Sequence, residues 1–417
     1  MKITVKKNER TEDKTEQSLK PLYARSVVNS LGGGMVNPFM SVYAVKLGAS
    51  TSLMGWFQSS TNISNNLMQI FWGRISDSLK RRIPFIVFGG TILSALWIPM
   101  IFVADATQLI IILAVQALVG SMAIPTWTAL IGDLVPSLKL GRANASINLW
   151  ASIGSVITTV ASGLLMISIH GTIQEIFFVP LTVAMVSGIV ASLIMLKIPE
   201  KKNGERMNLK ENLTSDIFNV LASARKTNSF VRYCYADATF QFFMSISWPL
   251  FAITQVNILH ASMLQIALLS VVQTIVTIVF QGWAGRLADT VGRKPLVVFF
   301  RFSLVTVPLA YAFVPDLNTL IAVGLFWGFA QALGSASQTA YLLEVTPKEY
   351  RGSFTAIYNL IVGVVTFFGS LIGGYLSDYT VSVFGAITGL QIVYLLSTVG
   401  RVIGAGLQFT LKETLKK

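Results

Sequence analysis

Two charged residues, Arg25 and Asp237, lie within otherwise apolar stretches of the sequence. A charge in apolar surroundings is costly unless it pairs, gains or loses a proton, or extends to water. The chemistry open to these residues is therefore ion pairing and proton binding. They stand at matching places in two related halves of the chain, so we predict a switchable ion pair whose aspartate takes up a proton when the pair breaks. The alternatives are that Arg25 extends to water and that Asp237 binds a neighbour in its own half.

Metal and disulfide chemistry has little support in the composition. The chain has one cysteine, Cys234, and two isolated histidines, His170 and His260. One cysteine cannot form an intramolecular disulfide, and a metal site needs several clustered ligands. We therefore predict no metal and no cofactor. The sequence also lacks the clustered His, Asp and Ser groups that a lipid-modifying enzyme would need, so we predict that the protein is not an enzyme.

The composition is that of an integral membrane protein. Hydrophobic residues make up 53% of the 417 residues and charged residues only 12%, whereas about a quarter of the residues of a soluble globular protein are charged. The net charge of +13 would suit nucleic acid, but the cations are confined to polar stretches between apolar ones. We therefore predict contact with membrane lipid and none with nucleic acid.

Twelve apolar stretches are long enough to cross about 30 Å of hydrocarbon, which takes roughly 20 helical residues. They lie at 22–45, 52–72, 83–103, 108–129, 143–167, 176–197, 231–256, 263–284, 295–314, 318–341, 353–377 and 386–411. This pattern predicts an all-α integral membrane protein with twelve transmembrane helices. Its predicted parts are a tail at 1–21, a six-helix bundle at 22–197, a linker at 198–228, a second six-helix bundle at 229–411 and a tail at 412–417.

The basic residues fall on one side of this topology. Of the 32 Lys and Arg residues, all except Lys46 lie in the tails, the linker, or the loops and helix ends on the same side as these. Basic residues mark the cytoplasmic side, so both termini are predicted to be cytoplasmic. Residues 1–21 lack the apolar core of a signal peptide, and the first span should be retained. We expect a multi-pass protein of the cell membrane, in which Arg301 and Arg401 extend to the cytoplasmic surface.

A short charged loop occurs twice between apolar stretches. Residues 73–82 read GRISDSLKRR and residues 285–294 read GRLADTVGRK, and 212 residues separate Asp77 from Asp289. This pattern of glycine, acid and basic residues resembles the signature loop of the major facilitator superfamily of secondary transporters, found between helices 2 and 3 and between helices 8 and 9. The first copy departs from the family pattern because Lys80 stands where the family has a glycine.

A second loop is repeated as well. Asp133, Pro136, Gly141 and Asn148 recur at a constant offset of 211 residues as Glu344, Pro347, Gly352 and Asn359. Internal repeats of this kind are typical of transporters. The resemblance covers nearly the whole chain, and it implies two pseudo-symmetric six-helix bundles that rock around a central site and expose it to each side in turn.

The resemblance also implies roles for the charged residues at the cytoplasmic helix ends. Salt bridges there would latch the halves in the outward-open state, and the residues concerned are Asp77, Arg81, Asp133, Asp289, Arg293 and Glu344. On this view Asp77 and Asp289 serve switching rather than substrate contact, and the ion pair of Arg25 with Asp237 forms a further gate. The alternative is that these groups form surface ion pairs of little energetic weight.

By the same resemblance, helices 1, 4, 7 and 10 line the central cavity. Amides and indoles dominate their polar positions, namely Asn29, Asn37, Gln116, Trp127, Gln241, Trp248, Trp327, Gln331 and Gln338. Such groups orient a neutral polyhydroxyl or amphipathic solute by hydrogen bonds and stacking, whereas a phosphorylated solute would favour paired cations. An indole in such a helix serves core packing or a membrane-interface belt as readily as a ligand.

Polar residues also line one face of three other helices. Helix 2 carries Gln58, Asn62, Asn65, Asn66 and Gln69, and helices 5 and 8 carry comparable stripes that include Thr159, Ser162 and Thr277. In the family these helices flank the seam between the halves, so the stripes are candidate sliding surfaces. Their alternative role is to form hydrogen bonds between helices. Pro38 and Pro249 are expected to bend the outer ends of helices 1 and 7.

Together these features predict a monomeric secondary transporter that moves a small organic solute by alternating access, with the proton as coupling ion. The solute is either sugar-like or amphipathic and drug-like. A lipid flippase and a non-transporting receptor or sensor on the same fold remain alternatives.

Overall fold

A computed structural model of the protein describes residues 20–79, 81–135, 140–198, 222–347 and 350–415. Within these ranges the chain is helical and contains no strand. Most of the predicted linker at 198–228 lies outside them, and so do the side chains of Asp77 and of several neighbours in the first signature loop.

Twelve long helices follow one another along the described residues. In the first half they are α1 (20–46), α2 (Thr51–Leu79), α3 (Ile83–Ile101), α4 (Ala106–Leu134), α5 (Leu140–Ser168) and α6 (Ile173–Lys197). In the second half they are α7 (228–258), α8 (Met263–Val291), α9 (Arg293–Phe313), α10 (Leu317–Glu344), α11 (Arg351–Phe384) and α12 (Ala386–Thr410).

Nine of these described helices, α3–α6 and α8–α12, are long and apolar enough to cross a membrane. The remaining three, α1, α2 and α7, are less apolar, which agrees with the polar residues that the sequence places on them. The all-α membrane fold is thereby confirmed, and twelve spans are consistent with these helices. Several helices extend beyond the predicted spans, because a helix can continue past the hydrocarbon with charged residues in its last turns. For example, α11 runs to Phe384 rather than to residue 377.

Two predicted bends coincide with interruptions of the helices. In α1 a turn of 3-10 helix at Asn37–Phe39 precedes Met40–Lys46. In α7 the first segment ends at Ile246 and the next begins at Trp248, with Pro249 directly after the break. Proline lacks the backbone N–H of an α-helical hydrogen bond and its ring clashes with the preceding turn, so a break at this position is expected.

The residues group into two compact units that do not follow the halves of the sequence. The first unit comprises the described parts of Met1–Pro38, Met68–Val103 and Val115–Asn208. The second comprises those of Phe39–Leu67, Ala104–Ala114 and Leu209–Lys417. The beginning of α2 therefore packs with helices of the second half of the chain. The division into bundles at 22–197 and 229–411 stays a prediction.

Small residues and hydroxyls join the helices inside each unit. In the first unit the hydroxyl of Thr159 on α5 donates to the carbonyl of Gly34 on α1 at 2.9 Å, and Ser162 donates to Met35 at 2.7 Å. In the second unit Thr277 on α8 donates to Gly328 on α10 at 3.0 Å. These residues of the polar stripes thus form hydrogen bonds between helices, which was the alternative to a sliding surface.

The predicted orientation can be tested by cysteine labelling in intact cells. In a Cys234→Ser background, we expect Asn203→Cys to be protected from an impermeant maleimide and Asp316→Cys to react, because the basic loops should be cytoplasmic. Both positions should react in permeabilised cells, which controls for local accessibility. Labelling of position 203 in intact cells would reverse the assigned topology.

Candidate transport site

Asp237 is the centre of a buried polar cluster in the second unit. It lies on α7 and is fully buried. Its carboxylate forms an ion pair with Arg301 of α9 and accepts a hydrogen bond of 2.7 Å from the hydroxyl of Tyr358 on α11. The carboxylate therefore joins three helices, and each of its oxygens has a partner.

The guanidinium of Arg301 is itself enclosed by further groups. With the side-chain oxygen of Gln338 facing it, that oxygen lies 3.0 Å from a terminal nitrogen of Arg301 and 3.2 Å from its Nε. The guanidinium carbon lies 4.7 Å from the ring centroid of Phe240, close enough for a cation–π contact. Gln338, one of the predicted cavity amides, thus contacts the charged cluster from α10.

Aromatic rings form the wall of this cluster. Tyr233 stacks on Tyr358 with a centroid distance of 5.6 Å and contacts Tyr341 at 5.2 Å. These rings limit the access of water to the carboxylate, so water screens the attraction between Asp237 and Arg301 only weakly. Of the two expectations for Asp237, binding to a neighbour in its own half is what the structure shows. The predicted pair with Arg25 stays a prediction, and in the first unit Arg25 lies 4.0 Å above the ring of Trp127.

The expectation that Arg301 and Arg401 extend to the surface was wrong, because each is only 1% exposed. Arg401 on α12 donates to the backbone carbonyls of Leu304 at 2.7 Å and Met244 at 3.1 Å, and it also contacts the hydroxyl of Ser247. Met244 lies just before the break in α7 and Ser247 lies at it, where carbonyl groups lose their helical donors. Arg401 therefore donates to one carbonyl beside the break in α7 and to one on α9, where the residue four positions later, Pro308, has no N–H to donate.

The segment of α7 beyond this break is held by hydroxyls of other helices. Its last residues, Thr254–Ile258, form a turn of π-helix. The amide of Gln255 donates to the hydroxyl of Tyr311 at 2.7 Å, and the hydroxyls of Thr254 and Tyr394 lie 2.7 Å apart. The predicted cavity residue Trp327 stacks on Tyr311 and is buried, with its indole N–H donating to Thr306 at 3.0 Å.

The other predicted cavity residues fall into three groups. Asn29, Asn37 and Gln331 are exposed, and Trp127 and Trp248 are half-buried. Gln116 is buried and donates to the carbonyl of Leu93 at 3.2 Å. Oε1 of the predicted cavity residue Gln241 is buried without a hydrogen-bond partner, and so is Nδ2 of Asn62, which belongs to the predicted polar stripe of α2; both are among the few such atoms in the described part of the chain. These last two atoms, an acceptor and a donor, belong to the second unit and suit a solute that carries hydroxyls.

Comparison with known proteins decides the family. The family model described as Major Facilitator Superfamily matches residues 23–236 and 233–406. The chain belongs to the Major Facilitator Superfamily. An uncharacterized MFS-type transporter of Methanocaldococcus jannaschii is 20% identical over 88% of this chain and 92% of its own length. The galactose-proton symporter of Escherichia coli is 30% identical over 25% of this chain and 21% of its own length.

Solved structures of the superfamily show the same fold. A structure of a point mutant of the nucleoside transporter NupG covers 94% of this chain and 99% of its own, with a TM-score of 0.75 and 14% sequence identity. The D-xylose-proton symporter covers 96% of this chain and 98% of its own, with a TM-score of 0.67 and 15% identity. At these identities the likeness concerns the fold alone.

The superfamily's signature residues form ion pairs at the helix ends of each unit. Arg293 pairs with Asp289 at 2.9 Å and with Glu344 at 3.1 Å. In the first unit Arg82, next to the exposed Arg81, pairs with Asp133 at 3.5 Å. The side chains of Asp289 and Asp133 are 72% and 62% exposed, so each pair contributes about 0–1 kcal/mol to stability. A latching role for these groups stays a prediction.

The sequence reading missed Glu413, which lies just beyond α12 in the predicted tail. Its carboxylate accepts hydrogen bonds from the backbone N–H groups of Arg293 and Lys294 at 3.1 Å, so it caps the start of α9 directly after the signature loop. Partial burial acts to raise the pKa of Glu413, but hydrogen bonds from Leu415, Arg293, Thr414 and Lys294 outweigh it and lower the pKa below its ordinary value. A carboxylate at a helix N-terminus is favoured in this way.

We expect Glu413→Gln to loosen the C-terminal tail, because one amide oxygen cannot accept all the hydrogen bonds of the carboxylate. Trypsin cleavage after Lys412 should become about 5-fold faster, in line with the loss of one helix cap. Cleavage after Lys226 should stay unchanged and serves as the internal control. The hydrogen bonds of the folded protein lower the pKa of Glu413. Its contribution to stability is therefore complete above the ordinary glutamate pKa of about 4.3 and is lost as the pH falls through the lowered pKa. Unchanged cleavage in the variant at pH 7 would contradict this role.

Proposed function

We propose that this protein couples the movement of a small, neutral, hydroxyl-bearing solute, such as a sugar or a nucleoside, to the movement of a proton. The observation that carries the proposal is the fully buried ion pair of Asp237 with Arg301. A buried pair of this kind is weak evidence for stability, since apolar residues of similar size can replace it without loss. An ionisable residue inside a membrane span is instead a candidate for proton transfer.

The arrangement around Asp237 offers a route for exchanging its partners. A protonated Asp237 can keep its hydrogen bond with Tyr358 while its attraction to Arg301 is lost. Arg301 then retains the side-chain oxygen of Gln338 and the ring of Phe240. Proton binding would thus loosen the link between α7 and α9 without stranding either side chain. This is the property that a proton-driven conformational change requires.

The neutral solute is supported by which polar groups are free and which are occupied. The buried cations that the structure describes in the second unit, Arg301 and Arg401, are already bound to protein oxygens. A phosphorylated solute would need cations that are available. The unpaired groups of Asn62 and Gln241 are uncharged and match the donor and acceptor of a hydroxyl. The partial similarity to a galactose-proton symporter points in the same direction.

Reconstitution into liposomes tests this function. We expect a pH gradient to drive uptake of at least one labelled sugar or nucleoside from a panel, while the corresponding phosphorylated compounds are not moved. Gln241→Leu should weaken transport of that solute at least 10-fold. Asn318→Leu, which alters an exposed amide near the start of α10 that accepts a hydrogen bond from Gln265, is the matched control and should transport normally. Movement of phosphorylated solutes alone, or of labelled phospholipid alone, would contradict the proposal.

A further inference from the structure

We propose that Asp378 is a conformational latch that closes the end of the transport pathway opposite the basic loops, by capping the N-terminus of α2 from α11. The two oxygens of its carboxylate accept hydrogen bonds from the backbone N–H groups of Thr51 and Ser52, each at 3.1 Å. The residues in contact, at the start of α2 and on α11, belong to the second unit. The inference rests on the proposed transport function, because a latch acts only in a protein that opens and closes.

The first turn of α2 depends on this carboxylate for its hydrogen bonds. The first N–H groups of a helix have no partner within the helix. Here the N–H of Leu53 is bound by the side chain of Ser50 at 3.2 Å, and Met54 makes the first bond within the helix, to the carbonyl of Ser50 at 3.0 Å. The N–H groups of Thr51 and Ser52 are left, and Asp378 binds both. A negative charge also interacts favourably with the helix dipole at this end.

The hydroxyl of Thr51 strengthens the same contact. It lies within hydrogen-bond distance of the carboxylate of Asp378 and 2.9 Å from the carbonyl of Gly374, one turn earlier on α11. Asp378 therefore forms hydrogen bonds with two backbone groups and one side chain of α2. Caps of this kind are ordinarily supplied by the residue just before the helix. Here the cap comes from another helix, because Asp378 lies 327 residues after Thr51 in the chain.

Below the cap, α2 and α11 meet along small residues. A Cβ added to Gly374 would lie 2.6 Å from the carbonyl oxygen of Thr51 and 3.1 Å from the Cα of Gly55, so the two backbones are in direct contact. The hydroxyl of Ser59 donates to the carbonyl of Phe367 at 2.7 Å. A seam of glycine and serine buries little apolar surface. Separating the two helices therefore exposes little apolar surface to water.

These features distinguish a latch from permanent packing. The repeat assigns α2 and α11 to opposite halves of the chain, and alternating access requires the halves to part at each end in turn. When this end opens, water can satisfy the N–H groups of Thr51 and Ser52 and the carboxylate of Asp378. The contact is therefore specific in the closed state, and water replaces its hydrogen bonds in the open state. Asp378 sets how strongly this end is held closed.

The latch can be measured through the accessibility of a thiol in the seam. Ser370 on α11 is fully buried, and within the described part of the chain its hydroxyl is one of the few buried side-chain groups without a partner. Ser370→Cys therefore costs no hydrogen bond. In a Cys234→Ser background, the rate at which a water-soluble maleimide labels position 370 reports how often the seam opens. This measurement needs no solute, so it is independent of whether the proposed transport activity is found.

We expect Asp378→Ala to raise the labelling rate about 10-fold, with Thr51→Val giving a smaller increase in the same direction. The matched control is Asp316→Ala, which removes a cap formed within the N-terminus of α10 by Asp316 on Thr319. It should leave the rate unchanged. Equal rates in Asp378→Ala and the parent, or an equal increase in Asp316→Ala, would overturn the latch. If Asp378→Ala does not fold, Asp378→Asn, which keeps the size and one acceptor, decides between the same two outcomes.

Discussion

Replacing Asp237 with alanine should destabilise the folded protein by about 3–5 kcal/mol, because it leaves the guanidinium of Arg301 buried without its counter-charge. Both side chains of the pair are almost fully buried, so solvent does not screen the loss. The replacement Arg301→Met alone should also destabilise, since it leaves the carboxylate unpaired. Thermal unfolding of the purified variants in detergent measures both effects.

The double variant Asp237→Ala/Arg301→Met separates the pair from general packing. With both charges removed, we expect most of the lost stability to return, because neither charge is then buried alone. Losses in the single variants that simply add in the double variant would show that the two groups do not interact. That result would contradict the ion pair as the central feature of the cluster.

Arg401→Met is also expected to destabilise the protein, although Arg401 has no role in the proposed proton step. Its removal takes the Arg401 donor from the buried carbonyl of Leu304, at about 1–3 kcal/mol for an unsatisfied group, and leaves the carbonyl of Met244 with the hydroxyl of Ser247 at 3.1 Å. The control is Arg232→Met, because Arg232 also donates to a backbone carbonyl, that of Thr410 at 3.1 Å, but is exposed. It should lose less than about 1 kcal/mol.

Hydrogen exchange locates the effect of Arg401→Met. We expect faster exchange at residues 244–250, on both sides of the break in α7, because Arg401 supplies donors there. Equal losses of stability in Arg401→Met and Arg232→Met would contradict the assignment of Arg401 to the break.

The sequence predicts the helices well because their signal is local. Apolar length, proline positions and the side on which the cations lie can all be read from short windows, and Pro249 does follow a break in α7. The cost of a buried charge also predicts that Asp237 needs a partner. It does not predict which partner, because Arg301 is 64 residues away and its direction depends on how α7 and α9 pack.

The residues that sequence reasoning missed lie at the ends of the predicted spans. The predicted eleventh span stops at residue 377, which left Asp378 in a loop, and the predicted twelfth span stops at residue 411, which left Glu413 in the tail. Each carboxylate binds backbone N–H groups at the start of another helix. A hydropathy pattern treats an acid as the end of a span, whereas its partner is fixed by tertiary contacts. Aspartate and glutamate residues close to the ends of predicted spans should therefore be considered as candidate caps of other helices.

The most direct test of the proposed coupling is uptake driven by a pH gradient in liposomes containing the unmodified protein or Asp237→Asn. We expect the unmodified protein to accumulate its solute above the external concentration when the gradient is imposed. Asp237→Asn should be folded and should equilibrate the solute without accumulating it, because the variant side chain cannot bind and release a proton. Accumulation by Asp237→Asn equal to that of the unmodified protein would contradict the proton-coupling role of Asp237.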